Sequence, residues 1–494
     1  MNIAFAASEA VPFAKTGGLA DVAGALTKEL ALRGHEVILF LPGYAEIARK
    51  KLKSRKIKSG LHVTVGRRRL PLALEEIRQD GVRVVLLAND ALYARPELYR
   101  DPATGGDWSD NDDRFIFFAR GVLEACRALD FVPDVVHAND WQSALIPMYL
   151  NTQLAADPFW RRTRCLFTVH NIAYQGMFGA ETFAKFGVEA GLWYPTSPFE
   201  YWGRVNFLKL GLEFAESIST VSKRYAEEIQ SSNEFGYGME GILTSRTEDL
   251  YGIINGIDYD VWNPATDTHL PKNFTPRALA GKKQCKAALQ KEMRLPVEAS
   301  VPLIGIISRL ADQKGFDLIG EVAEDLLSGP LQVVVLGTGD AKYHDLFTRL
   351  AARRPRRLAL SLKFDDGLAH RIEAGSDMFL MPSRYEPCGL NQLYSLKYGT
   401  IPIVRTTGGL ADTIAPYGPG SGTGFRFEAY TGNAMLAAID RALAVYGDAA
   451  AWKGLMQRAM KQDFSWHHAA SEYLELYLTT RAKPKRTQTA VAAR

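Results

Sequence analysis

Apolar positions along the chain follow two alternating rhythms. Asn2 to Ser8 is a short apolar run that predicts a strand. Leu19, Val22, Ala23, Leu26 and Leu30 then recur at the spacing of one helical face, Gly34 ends that helix, and Val37 to Leu41 predicts the next strand. The unit repeats. Val135–Val136 runs into His137, Leu166 to Val169 runs into His170 and Asn171, and Ile218 to Val221 runs into Ser222, a suitable cap for a helix over Lys223 to Ile229. A second series begins near residue 300, with strands expected at Pro302 to Ile307, Gln332 to Leu336, Met378 to Met381 and Ile401 to Val404, separated by helical patterns. Strands that alternate with helices build parallel sheets covered on both faces. Two such series predict an α/β chain of two doubly wound, Rossmann-like domains.

The rhythm breaks over 255–300, where Pro264, Pro271 and the charged pair Lys282 and Lys283 lie. The expected division is a first domain over 1–255 and a second over 256–465. The basic, aperiodic segment 481–494 is expected to be a disordered tail. One hexapeptide occurs twice, as Thr16-Gly17-Gly18-Leu19-Ala20-Asp21 and as Thr407-Gly408-Gly409-Leu410-Ala411-Asp412. Each copy follows a predicted strand and opens a predicted helix. That reads either as shared turn chemistry or as one glycine turn per domain facing a common cleft.

Composition acts mainly by exclusion. A chain of 494 residues is too long for one ordinary domain, and 47% hydrophobic with 23% charged residues is an ordinary globular balance. No apolar run approaches the roughly 18–20 residues of a membrane span. Lys and Arg number 59 against 55 Asp and Glu, and a net charge of +4 is too small for a body-wide nucleic-acid footprint. Neither a membrane nor a nucleic acid is expected as a partner, and the oligomeric state is left open. The amino terminus has no basic segment before its apolar stretch and reads as a strand, not a secretory signal. The four cysteines, Cys126, Cys165, Cys285 and Cys388, form neither a disulfide framework nor a metal-binding pair, which favours the cytoplasm.

Ligands of open parallel sheets lie beyond the carboxyl ends of the strands. The first strand leads to Glu9, Lys15, Gly17 and Gly18; a Gly-Gly turn lets backbone N–H groups approach an anion, and the following helix adds its positive end. Read alone, the same stretch is also a plain strand–helix turn with a surface lysine. Arg309 and Lys314, five apart in a strand–helix loop, can clamp a diphosphate, or be incidental charges. In Pro382-Ser383-Arg384-Tyr385-Glu386-Pro387-Cys388-Gly389-Leu390 a strand runs straight into a glutamate fixed between Tyr and Pro, placed to bond sugar hydroxyls or face a developing cation. His137 and His170 sit at successive strand ends with Asp140 nearby, and together make a site more plausible than two core histidines. The other histidines show no ligand spacing, so no metal is expected. The triplets Asp110 to Asp112 and Asp258 to Asp260 read as turn chemistry.

Taken in register, these stretches resemble the bacterial glycogen synthases and plant starch synthases. The resemblance rests on Lys15-Thr16-Gly17-Gly18-Leu19-Ala20-Asp21, His170-Asn171-Ile172-Ala173-Tyr174-Gln175-Gly176, Asn255-Gly256-Ile257-Asp258, Arg309 with Lys314, and Arg384-Tyr385-Glu386-Pro387-Cys388-Gly389-Leu390, and covers roughly residues 1–480. It implies the glycosyltransferase B fold, two doubly wound domains around a deep cleft, with a carboxyl-terminal helix near 466–480 returning to the first domain. It implies retaining transfer of glucose from ADP-glucose to the non-reducing end of an α-1,4-glucan such as glycogen, with no cofactor beyond the donor. Catalytic roles carry over to His170, Glu386, Arg309, Lys314 and Asp140. Contacts to the nucleotide sugar carry over to Lys15, Gly17, Gly18, Asn171, Asn255, Phe364, Cys388, Gly389, Leu390 and Asn391. Glu9 and Asp21 fall on the acceptor side. Three positions depart from the pattern: Tyr394 stands where related retaining transferases carry a second glutamate, Asn391 where the family often has Thr, and Phe364 where some members have Tyr. Competing expectations are a transferase of the same fold using UDP-glucose or making maltose-type products, a sugar-nucleotide epimerase, and a catalytically silent glucan-binding protein.

Overall fold

A computed structural model describes residues 1–50 and 52–487. The chain forms two compact units, each with its own sheet and core. Unit 1 comprises Met1–Val221, Ala226–Ile253 and the segment from Trp466; unit 2 comprises Ile254–Ser465 with Ser222–Tyr225.

The strands of unit 1 are β1 (Asn2–Ala6), β2 (Glu36–Pro42), β3 (Arg55–Val65), β4 (Arg68–Gln79), β5 (Val82–Ala88), β6 (Val135–Asn139), β7 (Arg164–Val169), β8 (Met177–Phe178), β9 (Val205–Asn206), β10 (Ser217–Thr220) and β11 (Leu250–Gly252). Nine of them form one sheet in the order β11-β10-β7-β6-β1-β2-β5-β4-β3; β8 and β9 pair separately. Pairing is parallel from β11 to β5, and β4 and β3 add an antiparallel edge. The central strands are buried on both faces, so Ile3, Phe5, Ile38, Phe40, Val136 and Phe167 are all core residues.

The helix Trp466–Ala482 packs on the helix Gly18–Leu32 and on β7. Its Tyr477 hydroxyl lies 2.8 Å from His137 Nδ1, and Arg481 pairs with Asp134 at 3.1 Å. The chain stays placed beyond it: Lys483 pairs with Asp249 at 2.6 Å and the Arg486 N–H donates to Glu216 Oε1 at 3.2 Å. The tail expected from 481 is thus tied down at its start, and 488–494 lie outside the described residues.

Unit 2 carries β12 (Leu303–Ile307), β13 (Gln332–Leu336), β14 (Leu358–Ser361), β15 (Met378–Met381), β16 (Ile401–Arg405) and β17 (Phe425–Phe427). They form one all-parallel sheet in the order β14-β13-β12-β15-β16-β17. Its core is aliphatic and aromatic, with Ile304, Val333, Phe379, Ile403, Phe316 and Phe347 in one cluster. The expected α/β class holds: two doubly wound parallel sheets. In each, the strand order reverses at one place, between β1 and β6 in unit 1 and between β12 and β15 in unit 2. Connections leave a crevice there at the carboxyl ends of the strands.

Candidate active site

Most of the candidate residues of unit 1 gather at its switch point. The loop after β1 carries Glu9, Lys15 and Gly17; Asp140 follows β6, and His170 and Asn171 follow β7. Glu9 is buried under the glycine turn, where its Oε2 accepts the N–H groups of Thr16 and Gly17, the latter at 3.3 Å. Burial pushes the Glu9 carboxyl up despite those two donors. Lys15 and Gly18 are exposed, and Lys15 Nζ pairs with Asp21 at 2.7 Å. Among the described residues no side chain caps the helix that starts at Gly18, and its first-turn N–H groups point where an anion can be held.

Asp140 is held in the left-handed region at φ 54°, and its Oδ1 accepts the His170 N–H at 2.7 Å. Desolvation pushes its carboxyl up to about 7, against the N–H groups of His170 and Asn171 and with help from the charge of Glu9. His170 is neutral over the working range: desolvation takes its imidazole down to about 3, and Nε2 lies 3.0 Å from Asn139 Oδ1. His137 is not its partner. It is fully buried inside β6, between Thr168 Oγ1 at 2.6 Å and the Tyr477 hydroxyl, with its ring edge-on to Phe5. The strand runs two residues past it, so the expected pair of strand-end histidines resolves into one residue of the loop after β7 and one core residue.

Unit 2 places its charged groups where β12 and β15 end. Lys314 Nζ donates to both carboxylate oxygens of Glu386, at 2.9 and 2.7 Å, and Ser383 Oγ donates to Glu386 Oε2 at 2.9 Å. Glu386 is only 5% exposed, whereas Arg309, in the loop after β12 that carries Lys314, is exposed. The two loops are locked together: the Arg384 N–H donates to Gln313 O at 2.9 Å, and Gly315, at φ 74°, passes so close that a Cβ would sit 2.0 Å from Pro382 O. Asn391 Nδ2 donates to Ile307 O at 2.6 Å, tying the helix Asn391–Tyr398 to the end of β12, and among the described residues no side chain caps that helix. Cys388 is buried and its thiol is pushed up to about 12, so it is no nucleophile; Gly389 and Leu390 carry the chain from it into the helix. Among the described residues Asn255 Oδ1 is buried without a hydrogen-bond partner. Phe364 is 83% exposed.

Several expectations resolve differently. The second hexapeptide packs against the Glu386 loop: the Gly409 N–H donates to Glu386 O and Pro387 O at 3.1 Å, and a Cβ on Gly408 would meet Glu386 O at 2.0 Å. Each glycine turn therefore meets a glutamate, the first through its carboxylate and the second through its backbone carbonyl. Asp258 is a turn residue, with Oδ1 accepting the Asp260 N–H at 2.8 Å. The triplet at 110 is instead a helix start in an ion-pair network, with Arg95 on Asp110 at 2.5 Å and Lys185 on Asp112 at 2.5 Å. Tyr394 is buried and stacked on Trp262, at 3.9 Å between ring centres. Sequence reading missed Ser383, which the Ser-x-x-Glu spacing into Glu386 would have flagged. It also missed a cluster at His269, Asp366 and His370, signalled by the one-turn spacing Asp366 to His370 on a helix.

Two open sheets with charged groups at their switch points are the architecture of the nucleotide-sugar glycosyltransferases of the B class. The family models that match are the starch synthase catalytic domain, over residues 2–245, and glycosyl transferases group 1, over 292–453. A glycogen synthase of Anaeromyxobacter dehalogenans is 46% identical over 97% of this chain and 99% of its own length, and one of Koribacter versatilis is 47% identical over 97% and 98%. The solved catalytic domain of starch synthase IV from Arabidopsis thaliana, bound to ADP and acarbose, is 31% identical with a TM-score of 0.87, covering 97% of this chain and 99% of that one. The chain belongs to the glycogen and starch synthase family of glycosyltransferases. Among the described residues no helix is long and apolar enough to cross a membrane.

Proposed function

We propose that the chain transfers glucose from ADP-glucose to the non-reducing end of an α-1,4-glucan with retention of configuration. The observation that carries this reading is the Lys314–Glu386 pair at the switch point of unit 2. An ammonium has three donors, and Glu386 takes two of them, leaving one for a phosphate oxygen. Lys314 with Arg309 neutralises the ADP that leaves as the glycosidic bond breaks, where fixed charge lowers a barrier most. Glu386 holds the glucose hydroxyls, and its carboxylate faces the oxocarbenium-like carbon through which front-face attack proceeds. Cys388, Gly389, Leu390 and Asn391 present backbone and amide groups to sugar or phosphate, Asn255 lines the sugar pocket, and Phe364 stacks on the base.

In unit 1, Lys15, Gly17 and Gly18 meet the nucleotide sugar, while Asp140, His170 and Asn171 orient the glucose. Neutral His170 serves as a hydrogen-bonding group and not as a cation. Glu9 and Asp21 act on the acceptor side through the turn they hold. The ADP in the Arabidopsis relative supports the adenine nucleotide, and four free, buried cysteines support work in the reducing cytoplasm.

The deciding measurement is incorporation of labelled glucose into glycogen from ADP-glucose and, in parallel, UDP-glucose. Preference for ADP-glucose is the expected result. Equal or better use of UDP-glucose overturns the base assignment at Phe364, and no transfer from either donor by folded protein overturns the donor class. A covalent glucosyl–Glu386 adduct trapped during turnover would contradict front-face attack.

A further inference from the structure

Unit 2 holds a cluster that the transfer reaction does not use. Asp366 and His370 stand one turn apart on the helix Asp366–Gly375, and His269 reaches them from the segment that precedes the helix Ala280–Glu292. One ligand-type atom from each of the three lies within 4.8 Å of the others. His370 is buried, and its ring is fixed from two directions. Nδ1 lies 2.7 Å from Asp267 Oδ2, which also accepts the Tyr398 hydroxyl at 2.6 Å. The ring face stacks on Trp262 at 3.8 Å with the planes 7° apart, and Trp262 stacks in turn on Tyr394. Among the described residues, the other nitrogen of His370, the ring nitrogens of His269 and the Asp366 carboxylate have no hydrogen-bond partner.

An imidazole anchored through one nitrogen on a carboxylate presents the other as a directed metal ligand. We propose that His269, Asp366 and His370 bind a divalent transition-metal ion, with Zn²⁺ as its representative. Two imidazoles and one carboxylate suit such an ion, whereas Mg²⁺ and Ca²⁺ ask for oxygen ligands. Metal bonds of about 2.0–2.1 Å bring tetrahedral ligands to about 3.3 Å from one another. The buried, stacked His370 stays in place, and the exposed side chains of His269 and Asp366 turn inward to reach that spacing. The neighbouring guanidinium of Arg371 is compensated by Glu292, at 2.7 and 2.8 Å. Occupancy ties the segment 262–270 to the first turn of a helix that begins two residues after Phe364, and it stabilises unit 2 by mass action.

The test is calorimetric titration of tag-free, full-length protein with ZnCl₂, together with thermal unfolding in Zn²⁺ and in EDTA. Wild type is expected to bind one Zn²⁺ at this site and to unfold at a higher temperature with it. The double variant His269→Ala/Asp366→Asn, both positions exposed, should weaken binding about tenfold or more. It should also lose the Zn²⁺-dependent rise while keeping the wild-type Tm in EDTA. A His467→Ala/His468→Ala variant, altering the adjacent surface histidines elsewhere in the chain, should bind as wild type does. Absence of binding to wild type, unchanged binding in the first double variant, or loss of binding only in the second would overturn the proposal, and none of these touches the transferase reading.

Discussion

Lys314 and Glu386 bind each other, so each is the other's counter-charge as well as a group of the proposed site. Lys314→Met leaves a buried carboxylate unpaired, at a cost on the order of 1–3 kcal/mol. Glu386→Gln keeps the shape and removes the charge. Each single variant should lower turnover by about 10²-fold or more. Unfolding and kinetics of the two singles and the double should show the stability loss of Lys314→Met partly recovered in the double, with no recovery of turnover. Asp140 and His170 give a second, pH-dependent prediction. The Asp140 carboxyl, raised to about 7, binds a proton in the folded state that the unfolded chain does not bind between pH 4 and 7, so it adds stability as pH falls through that window. His170, lowered to about 3, does the reverse: the unfolded chain binds its proton below pH 6.5, and stability is lost as pH falls. The two largely offset each other. Asp140→Asn removes one side, so the variant should be more stable than wild type at pH 8 and should lose more unfolding free energy between pH 8 and 5, by on the order of 1–3 kcal/mol, as denaturant unfolding at the two pH values reads it.

At the scale of elements, the two copies of the hexapeptide separate what a turn sequence encodes from what packing asks of it. Gly17 has extended backbone, and an added Cβ would meet Glu9 Oε1 at an ordinary 3.6 Å. Gly408 is left-handed at φ 41°, and its Cβ would press on Glu386 O. Gly17→Ala should therefore leave the unfolding free energy within about 0.5 kcal/mol of wild type. Gly408→Ala should cost about 2 kcal/mol or more and lower turnover by displacing the Glu386 loop. Measuring Tm and glucan synthesis for the two variants side by side checks this; equal tolerance would mean that the second turn does not hold the loop. The β3–β4 hairpin shows the converse limit. Its residues Arg55, Lys56, Lys58, Arg68, Arg69, Glu75, Glu76 and Arg78 carry so much charge that no buried-strand rhythm appears. As an antiparallel edge it needs only one covered face.

At the scale of the molecule, two separate sheets and cores predict that unfolding is not one cooperative transition. Scanning calorimetry should give a calorimetric enthalpy exceeding the van't Hoff value, and ADP should shift one component more than the other. The strand–helix alternation, both switch-point loops and the motif residues Lys15, His170, Arg309, Lys314 and Glu386 were legible in the chain, because burial periodicity and loop chemistry are local properties. What tertiary structure decided was how those groups are spent. It gave His137 to the carboxyl-terminal helix, 340 residues on, and Tyr394 to a stack on Trp262. It also joined Asp267 to His370, 103 residues apart. Such pairings arise when elements distant in sequence pack and must satisfy buried polar groups, and no local pattern of residues records which partner will be within reach.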